Sequence, residues 1–277
     1  MLLGNPKVKA MTDAKRATYS VSPGCLRITE SFFSLEGEGV LIGCPTYLIR
    51  FASCNQRCTM CDTKFSSWWD TDAYQVSGTD LLRALTMEYP EAEWVSFTGG
   101  EPFYRSVGEE EGTFVWLAQK ILALGRKLKV ETSGTMVPPA GFPSRATFWS
   151  IAPKIPGGGM GGGTFLDPDV LQTILTEHAR HGHIKFVVGA REKQNSVAID
   201  FEGIKMLADQ VPALRTAKHF SIIFQPEGLT ESSVEYLLRC TVLAEAVLKD
   251  RDLMRLFPRW RVLPQWHQLL WRNERRR

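Results

Sequence analysis

Thr46-Tyr-Leu-Ile-Arg-Phe-Ala52 is an apolar run with the look of a strand, and one residue later the chain enters Cys54-Asn-Gln-Arg-Cys-Thr-Met-Cys-Asp-Thr63. Cys54, Cys58 and Cys61 stand in a C-x3-C-x2-C spacing. Three thiolates on one short loop can hold three corners of an iron–sulfur cube. With no fourth cysteine in the loop, one iron stays open to a ligand. A structural zinc site normally closes with four ligands, and the one further donor nearby is Asp62. The spacing suits chemistry better than stapling.

The same arrangement, a strand followed by a polar motif, recurs along the chain. Glu93-Trp-Val-Ser-Phe97 leads into Thr98-Gly-Gly-Glu-Pro102, Lys127–Thr132 into Ser133-Gly-Thr135, and Thr147–Ala152 into Pro153-Lys154. Ile184–Val188 and Phe220–Gln225 read as further strands, Cys25–Thr29 as a short first one and Arg261–Gln265 as a terminal one. Helices are predicted between them. One starts at Gly78-Thr-Asp, with Thr79 or Asp80 as the cap, carries Leu81, Leu82, Leu85 and Tyr89 at helical spacing, and stops at Pro90. Others run from Phe114 to Leu124 with Gly125 as the stop, from Pro168 to about Arg180, from Ala198 to Gln210, and from a Thr230 cap to about Lys249.

Such alternation calls for a parallel sheet with right-handed crossovers, either doubly wound or closed toward a barrel. Six or so β/α units, fewer than eight, predict an α/β fold of the incomplete (β/α)6-barrel type. The active site then sits at the C-terminal rim of the strands, where the polar motifs fall. The expected organisation is a flexible leader over residues 1–24 and a single domain over 25–277. The glycine-rich run at 157–163 reads as a surface insertion.

The composition fits a single larger α/β domain: 277 residues, 44% hydrophobic, with a net charge of +3. That small excess gives no reason to expect nucleic acid, and part of it sits in Arg275-Arg276-Arg277, which reads as a solvated tail. No apolar run approaches the ~20 residues that span a bilayer, and no export signal is visible at the N-terminus. Six cysteines in a chain of this size do not form a disulfide scaffold, so a reducing cytoplasm is expected. Glu36-Gly-Glu-Gly39 interleaves carboxylates with glycines. It reads either as a plain turn or as a loop whose backbone approaches a ligand closely.

Taken in order, Cys54-x3-Cys58-x2-Cys61 and Thr98-Gly-Gly-Glu-Pro102 resemble the radical S-adenosylmethionine superfamily. The resemblance implies a 4Fe-4S cluster whose open iron is chelated by the methionine end of S-adenosylmethionine. Reductive cleavage of the cofactor then yields a hydrogen-abstracting 5′-deoxyadenosyl radical. It also implies that Gly99, Gly100 and Glu101 bind the methionine amino group. Phe33-Ser-Leu-Glu-Gly-Glu-Gly39, Ile49-Arg50, Cys61-Asp-Thr63, Glu131-Thr-Ser-Gly-Thr135, Ala152-Pro-Lys154, Lys185-Phe-Val187, Gln225-Pro226 and Pro264-Gln-Trp-His267 are similar to the 7-carboxy-7-deazaguanine synthase family. The matches cover about residues 28 to 268. Members convert 6-carboxy-5,6,7,8-tetrahydropterin to 7-carboxy-7-deazaguanine with loss of ammonia, on the way to deazapurines such as queuosine, and a magnesium ion assists.

By this resemblance Thr63 contacts Mg2+, and Ser133, Lys154 and Gln225 contact the cofactor. Glu36, Glu38, Gly39, Arg50, Thr98 and His267 contact the substrate. Carboxylates suit the N–H-rich edge of a pterin, and a guanidinium suits its carboxyl group. The family more often has Gln at position 36 and Asn at position 133. No catalytic residue is assigned beyond cluster and cofactor. The implied partners are the small-molecule pterin, an external flavodoxin- or ferredoxin-like reductant and a second copy of the chain, with neither membrane nor nucleic acid. Two alternatives stay open: a radical activase acting on a partner enzyme, and a structural zinc site in a binding protein.

Overall fold

The computed structural model describes residues 21–58, 60–67, 73–105, 109–155, 166–190, 196–230, 232–257, 259–272 and 274. Most of the predicted leader, the glycine-rich segment 157–163 and the tail 275–277 lie outside the described residues. The strands are β1 (Cys25–Leu35), β2 (Pro45–Phe51), β3 (Tyr74–Ser77), β4 (Trp94–Gly99), β5 (Lys127–Thr132), β6 (Phe148–Ile151), β7 (Gly182–Val188), β8 (Phe220–Pro226) and β9 (Trp260–Val262). The helices are α1 (Lys64–Ser67), α2 (Gly78–Arg83), α3 (Glu109–Ala123), α4 (Pro168–Thr173), α5 (Ser196–Gln210), α6 (Ala213–Thr216), α7 (Ser233–Lys249), α8 (Arg251–Leu256) and α9 (Trp266–Leu270).

All nine strands form one sheet in the order β3-β1-β2-β4-β5-β6-β7-β8-β9. From β2 to β9 every neighbouring pair is parallel, as the alternation of strands and helices predicts. The other edge departs from that expectation, because β1 runs antiparallel to both β2 and β3. Residues 36–44 are too short a link for a parallel crossover, so β2 returns alongside β1. β1 also extends through Leu35, which confines the glycine–carboxylate loop to the residues after it.

Two predicted caps move. Ser77, not Thr79 or Asp80, caps α2 by accepting from the Asp80 amide, and Ser232, not Thr230, caps α7 by accepting from the Glu235 amide. Gly125 does stop α3. At φ 74° its amide donates to the Leu122 carbonyl, and the Arg126 amide donates to that of Ile121.

Side chains alternate between the two faces of each strand. Here the usual sense of inside and outside is inverted. Phe51, Phe97, Val130, Ile151, Phe186 and Phe224 lie on the outer face, where they join the helices in one core. Phe51 and Phe97 meet edge-to-face at 5.2 Å, and Phe224 packs against Phe186, Phe201 and Phe257. The inner face instead carries Glu30, Arg50, Thr98, Glu131, Lys185 and Gln225. The segments that follow β9 and β1 meet. The Trp266 amide, beyond β9, donates to the Gly37 carbonyl, beyond β1, at 2.7 Å. The barrel is therefore incomplete in strands, and the C-terminal segment closes its seam.

Candidate active site

The C-terminal strand ends enclose a cavity of about 580 Å³, within the ~300–1,000 Å³ of small-molecule sites. Cys54, Cys58 and Cys61 line it as free thiols. Their loop is braced from behind. Ser53 takes a φ of 72° and donates its amide to the Ser66 carbonyl at 2.6 Å, and Asn55 Nδ2 donates to Thr135 Oγ1 at 3.0 Å. Cys61 Sγ lies 3.6 Å from Thr63 Oγ1 and 3.5 Å from Ser67 Oγ. Burial pushes the Cys54 and Cys58 thiols up, so a bound cation is what would draw their protons off. Burial alone would lower the Lys154 ammonium, but the three cysteines and Asp62 more than offset it and raise its pKa. Cys25, Cys44 and Cys240 do not line the cavity, so the cysteine set there is three, which fits a cluster with one open iron.

Beside the loop, β4 ends in Gly99 and Gly100. Gly99 sits at φ 111°, where a Cβ would overlap Phe51 O, and a Cβ on Gly100 would overlap Ser53 O. The glycines let two backbones lie against each other. The Gly100 amide donates to Phe51 O at 2.9 Å and the Glu101 amide to Ser53 O at 3.1 Å. Glu101 is thereby delivered, buried, to the cavity wall. Its carboxylate accepts from Thr132 Oγ1 at 2.7 Å, from the Ser133 amide at 2.8 Å and from Ser133 Oγ at 2.6 Å. These donors are neutral, and no cation pairs with Glu101 among the described residues. Burial pushes its carboxyl above the usual range against these hydrogen bonds. A ligand ammonium would supply the missing charge. Gln225 lines the same wall, with both amide atoms buried and without a protein partner.

The far wall is ionic. Arg50 Nε donates to the buried Glu30 at 2.9 Å, and its guanidinium lies 5.7 Å from the centre of the Phe65 ring. Glu36 pairs with Lys129 at 2.8 Å, both buried. Lys185 lies between Glu38, with which it is ion-paired, and Glu131 at 2.8 Å. Thr98 Oγ1 donates to Glu131 at 2.8 Å, and Gln265 Nε2 donates to Glu38 at 2.8 Å. Burial alone would raise the Glu131 carboxyl, but Lys129, the Thr98 hydrogen bond and Arg50 hold it below the usual range. Donor atoms of Glu38, Asp62 and His267 lie within 4.8 Å of one another. Burial lowers the His267 imidazole, with Lys185 and Arg50 adding to the effect and Asp62 opposing it.

Of the residues expected at the site, Glu36, Glu38, Arg50, Cys54, Cys58, Cys61, Thr63, Thr98, Gly99, Gly100, Glu101, Ser133, Lys154, Gln225 and His267 all line this one cavity. Gly39 does not. At φ 73° it lies against the His183 ring, which a Cβ would overlap. Sequence reasoning assigned no role to Glu30, Lys129, Glu131, Lys185 and Gln265. A signal was available for the lysines. Lys129 alternates with the buried Leu128 and Val130 in β5, and His183 and Lys185 flank the buried Ile184 in β7; a buried charge in such a strand is tolerated only when paired.

No family model matches the chain. It is 36% identical over 136 residues to the 7-carboxy-7-deazaguanine synthase of Pyrobaculum aerophilum, covering 49% of this chain and 58% of that one. Against the 7-carboxy-7-deazaguanine synthase of Halobacterium salinarum it is 36% identical over 129 residues, 47% of each. The chain thus spans about half the length of the curated relatives it matches. The crystal structure of QueE from Escherichia coli superposes with a TM-score of 0.60 at 24% identity, over 88% of this chain and 95% of that one. By sequence the chain resembles the 7-carboxy-7-deazaguanine synthases, and its α/β fold is that of QueE from Escherichia coli.

Proposed function

We propose that this chain is a radical S-adenosylmethionine carbon–nitrogen lyase. It would convert 6-carboxy-5,6,7,8-tetrahydropterin to 7-carboxy-7-deazaguanine with loss of ammonia, in 7-deazapurine biosynthesis. One observation carries the proposal. Glu101, buried without a counter-cation among the described residues, faces the cavity that holds three free thiols and an ionic wall.

Cys54, Cys58 and Cys61 would hold a 4Fe-4S cluster. Glu101 would accept the ammonium of S-adenosylmethionine beside it, with Gly99 and Gly100 fixing the approach and Ser133, Lys154 and Gln225 around it. When bound, cluster and cofactor supply the hydrogen-atom abstraction. The chain's own residues place the substrate. Arg50 spends only Nε on Glu30, so its remaining guanidinium nitrogens can take the pterin carboxyl as a fork. Glu38, held from one side by Lys185 and from the other by Gln265, is oriented to accept from the amino-pyrimidinone edge, with Glu36, Thr98 and His267 around it. Thr63, next to Asp62, would offer Mg2+ hard oxygen donors.

An external flavodoxin- or ferredoxin-like protein would supply the electron. The exposed apolar side chains Val234, Leu237 and Leu238 of α7 and Trp266 and Leu270 of α9 support a homodimer. Among the described residues no helix is long and apolar enough to cross a membrane. Free cysteines throughout the described chain fit a cytoplasmic setting. An activase would have to admit a segment of a partner protein, and an ionic cavity of this size suits a small, charged heterocycle better.

The test is anaerobic turnover by the reconstituted protein with S-adenosylmethionine, Mg2+ and a reductant. Conversion of 6-carboxy-5,6,7,8-tetrahydropterin to 7-carboxy-7-deazaguanine with cofactor recovered unconsumed is the expected result, and an unchanged pterin would overturn the proposal.

A further inference from the structure

The last turn of α9 leaves a tryptophan standing at the edge of the cavity. The Trp271 amide donates to the His267 carbonyl at 2.8 Å, and the Trp271 carbonyl accepts from the Glu274 amide at 3.1 Å. Between them Arg272 takes a φ of 56°, the left-handed conformation that ends a helix and that glycine usually supplies. The backbone of Trp271 is therefore fixed on both sides. Its indole, by contrast, makes no ring contact and no hydrogen bond among the described residues, and it does not pack on the core. Trp271 lines the cavity and is only half-buried, and the exposed Arg272 and Glu274 line it as well. This stretch is thus part of the rim, where a side chain is open to whatever the cavity holds.

Residues four apart in a helix share a face, so Trp271 stands one turn beyond His267 on the same side of α9. The His267 ring meets the carboxylates of Glu38 and Asp62, with donor atoms within 4.8 Å of one another. Trp271 therefore belongs to the His267 side of the cavity, and no other described tryptophan lines it. We propose that Trp271 is a substrate-positioning residue whose indole stacks on the flat pyrimidinone half of the pterin. The inference rests on the pterin reading above and adds one contact to it. A flat heterocycle laid on an indole face removes apolar surface of both from water and gains from the π contact. The stack holds the ring in one plane, which hydrogen abstraction at a single carbon requires.

The probe is 6-carboxypterin, a stable flat pterin, and its binding to the reconstituted protein with S-adenosylmethionine and Mg2+ is measured by equilibrium dialysis. Trp271→Leu keeps an apolar side chain without an aromatic face, and should bind the pterin about 3- to 10-fold more weakly than the wild type. Trp271→Phe restores a face and should recover most of that loss. The affinity for S-adenosylmethionine, measured without pterin, should be the same in all three proteins. Unchanged pterin affinity in Trp271→Leu would overturn the proposal, as would equal losses in the two variants. Parallel losses of pterin and S-adenosylmethionine would show that Trp271 only supports the end of α9, and would overturn it too. A wild type that bound no pterin would sink the pterin reading itself, and the stacking proposal with it.

Discussion

The two walls of the cavity are built in opposite ways. The cysteine wall comes from short local pieces: the loop 54–63, the end of β4 and the end of β5, each ordered by backbone hydrogen bonds and by glycines that permit close approach. The ionic wall is assembled from distant segments. Glu38 meets Lys185 across 147 residues and Gln265 across 227. A wall made of local pieces keeps its shape when one distant contact is lost. A wall made of long-range ion pairs holds only while every buried charge has its partner.

That contrast can be broken from either side, and the largest expected effect lies on the cysteine wall. Cys58→Ala should abolish turnover and the visible iron–sulfur absorbance after anaerobic reconstitution, with little change in the thermal unfolding of the apoprotein. A variant that kept both colour and turnover would remove Cys58 from the ligand set.

On the ionic wall the loss should appear in stability instead. Lys129→Met strands Glu36 in the interior and is expected to destabilise the fold by ~3–5 kcal/mol. Adding Glu36→Gln removes the stranded charge and should restore most of that loss. Chemical denaturation of the single and double variants measures both terms, and equal stability of the two would show that the pair is not coupled.

Glu101 tests the junction between the walls. Glu101→Gln keeps the shape and removes the charge, so S-adenosylmethionine should bind ~10- to 100-fold more weakly, the worth of a hydrogen bond to a charged group. Equilibrium dialysis on the reconstituted protein reads this directly. Unchanged affinity would mean that the ammonium is held elsewhere.

The smallest effect expected is a pH dependence below the ionic wall. His183 is fully buried, donates to or accepts from Ser150 Oγ at 2.8 Å, and is held by burial down to a pKa of about 3, with Lys129 adding to the effect. The unfolded chain takes up a proton near the ordinary histidine value of about 6.5, whereas the folded chain does not. Stability contributed by neutral His183 is therefore present above about pH 6.5 and declines as pH falls toward about 3, by about 2 kcal/mol at pH 5. Urea unfolding of the wild type and of His183→Gln at pH 7 and pH 5 should show the variant losing about that much less between them.

Much of the cysteine wall was legible from residue order. A C-x3-C-x2-C loop after a strand, and Gly99-Gly100-Glu101 after another, specify close neighbours because strand ends in a parallel sheet share one rim. The motif did not reveal why the glycines are there: a Cβ at either one would enter the backbone of Phe51 or Ser53. Gly39 shows the opposite limit. Its motif pointed to a close backbone approach, and nothing in the motif shows that the His183 ring, from a strand far along the chain, is what approaches it. The caps at Ser77 and Ser232 shifted by a few residues, within the reach of several short hydroxyl and carboxylate side chains that compete to accept from the same free amides.

By itself, the sequence determined the alternation of strands and helices, the parallel body of the sheet and the thiol triplet at its rim, because each depends on spacings of a few residues. Only the tertiary structure decided that β1 runs antiparallel to both its neighbours, that charged residues face inward while aromatics face the helices, and that the C-terminal segment meets the loop after β1. The physical reason is curvature. Whether Lys185 or Gln265 meets Glu38 depends on twist accumulated across the whole sheet, which no local spacing encodes.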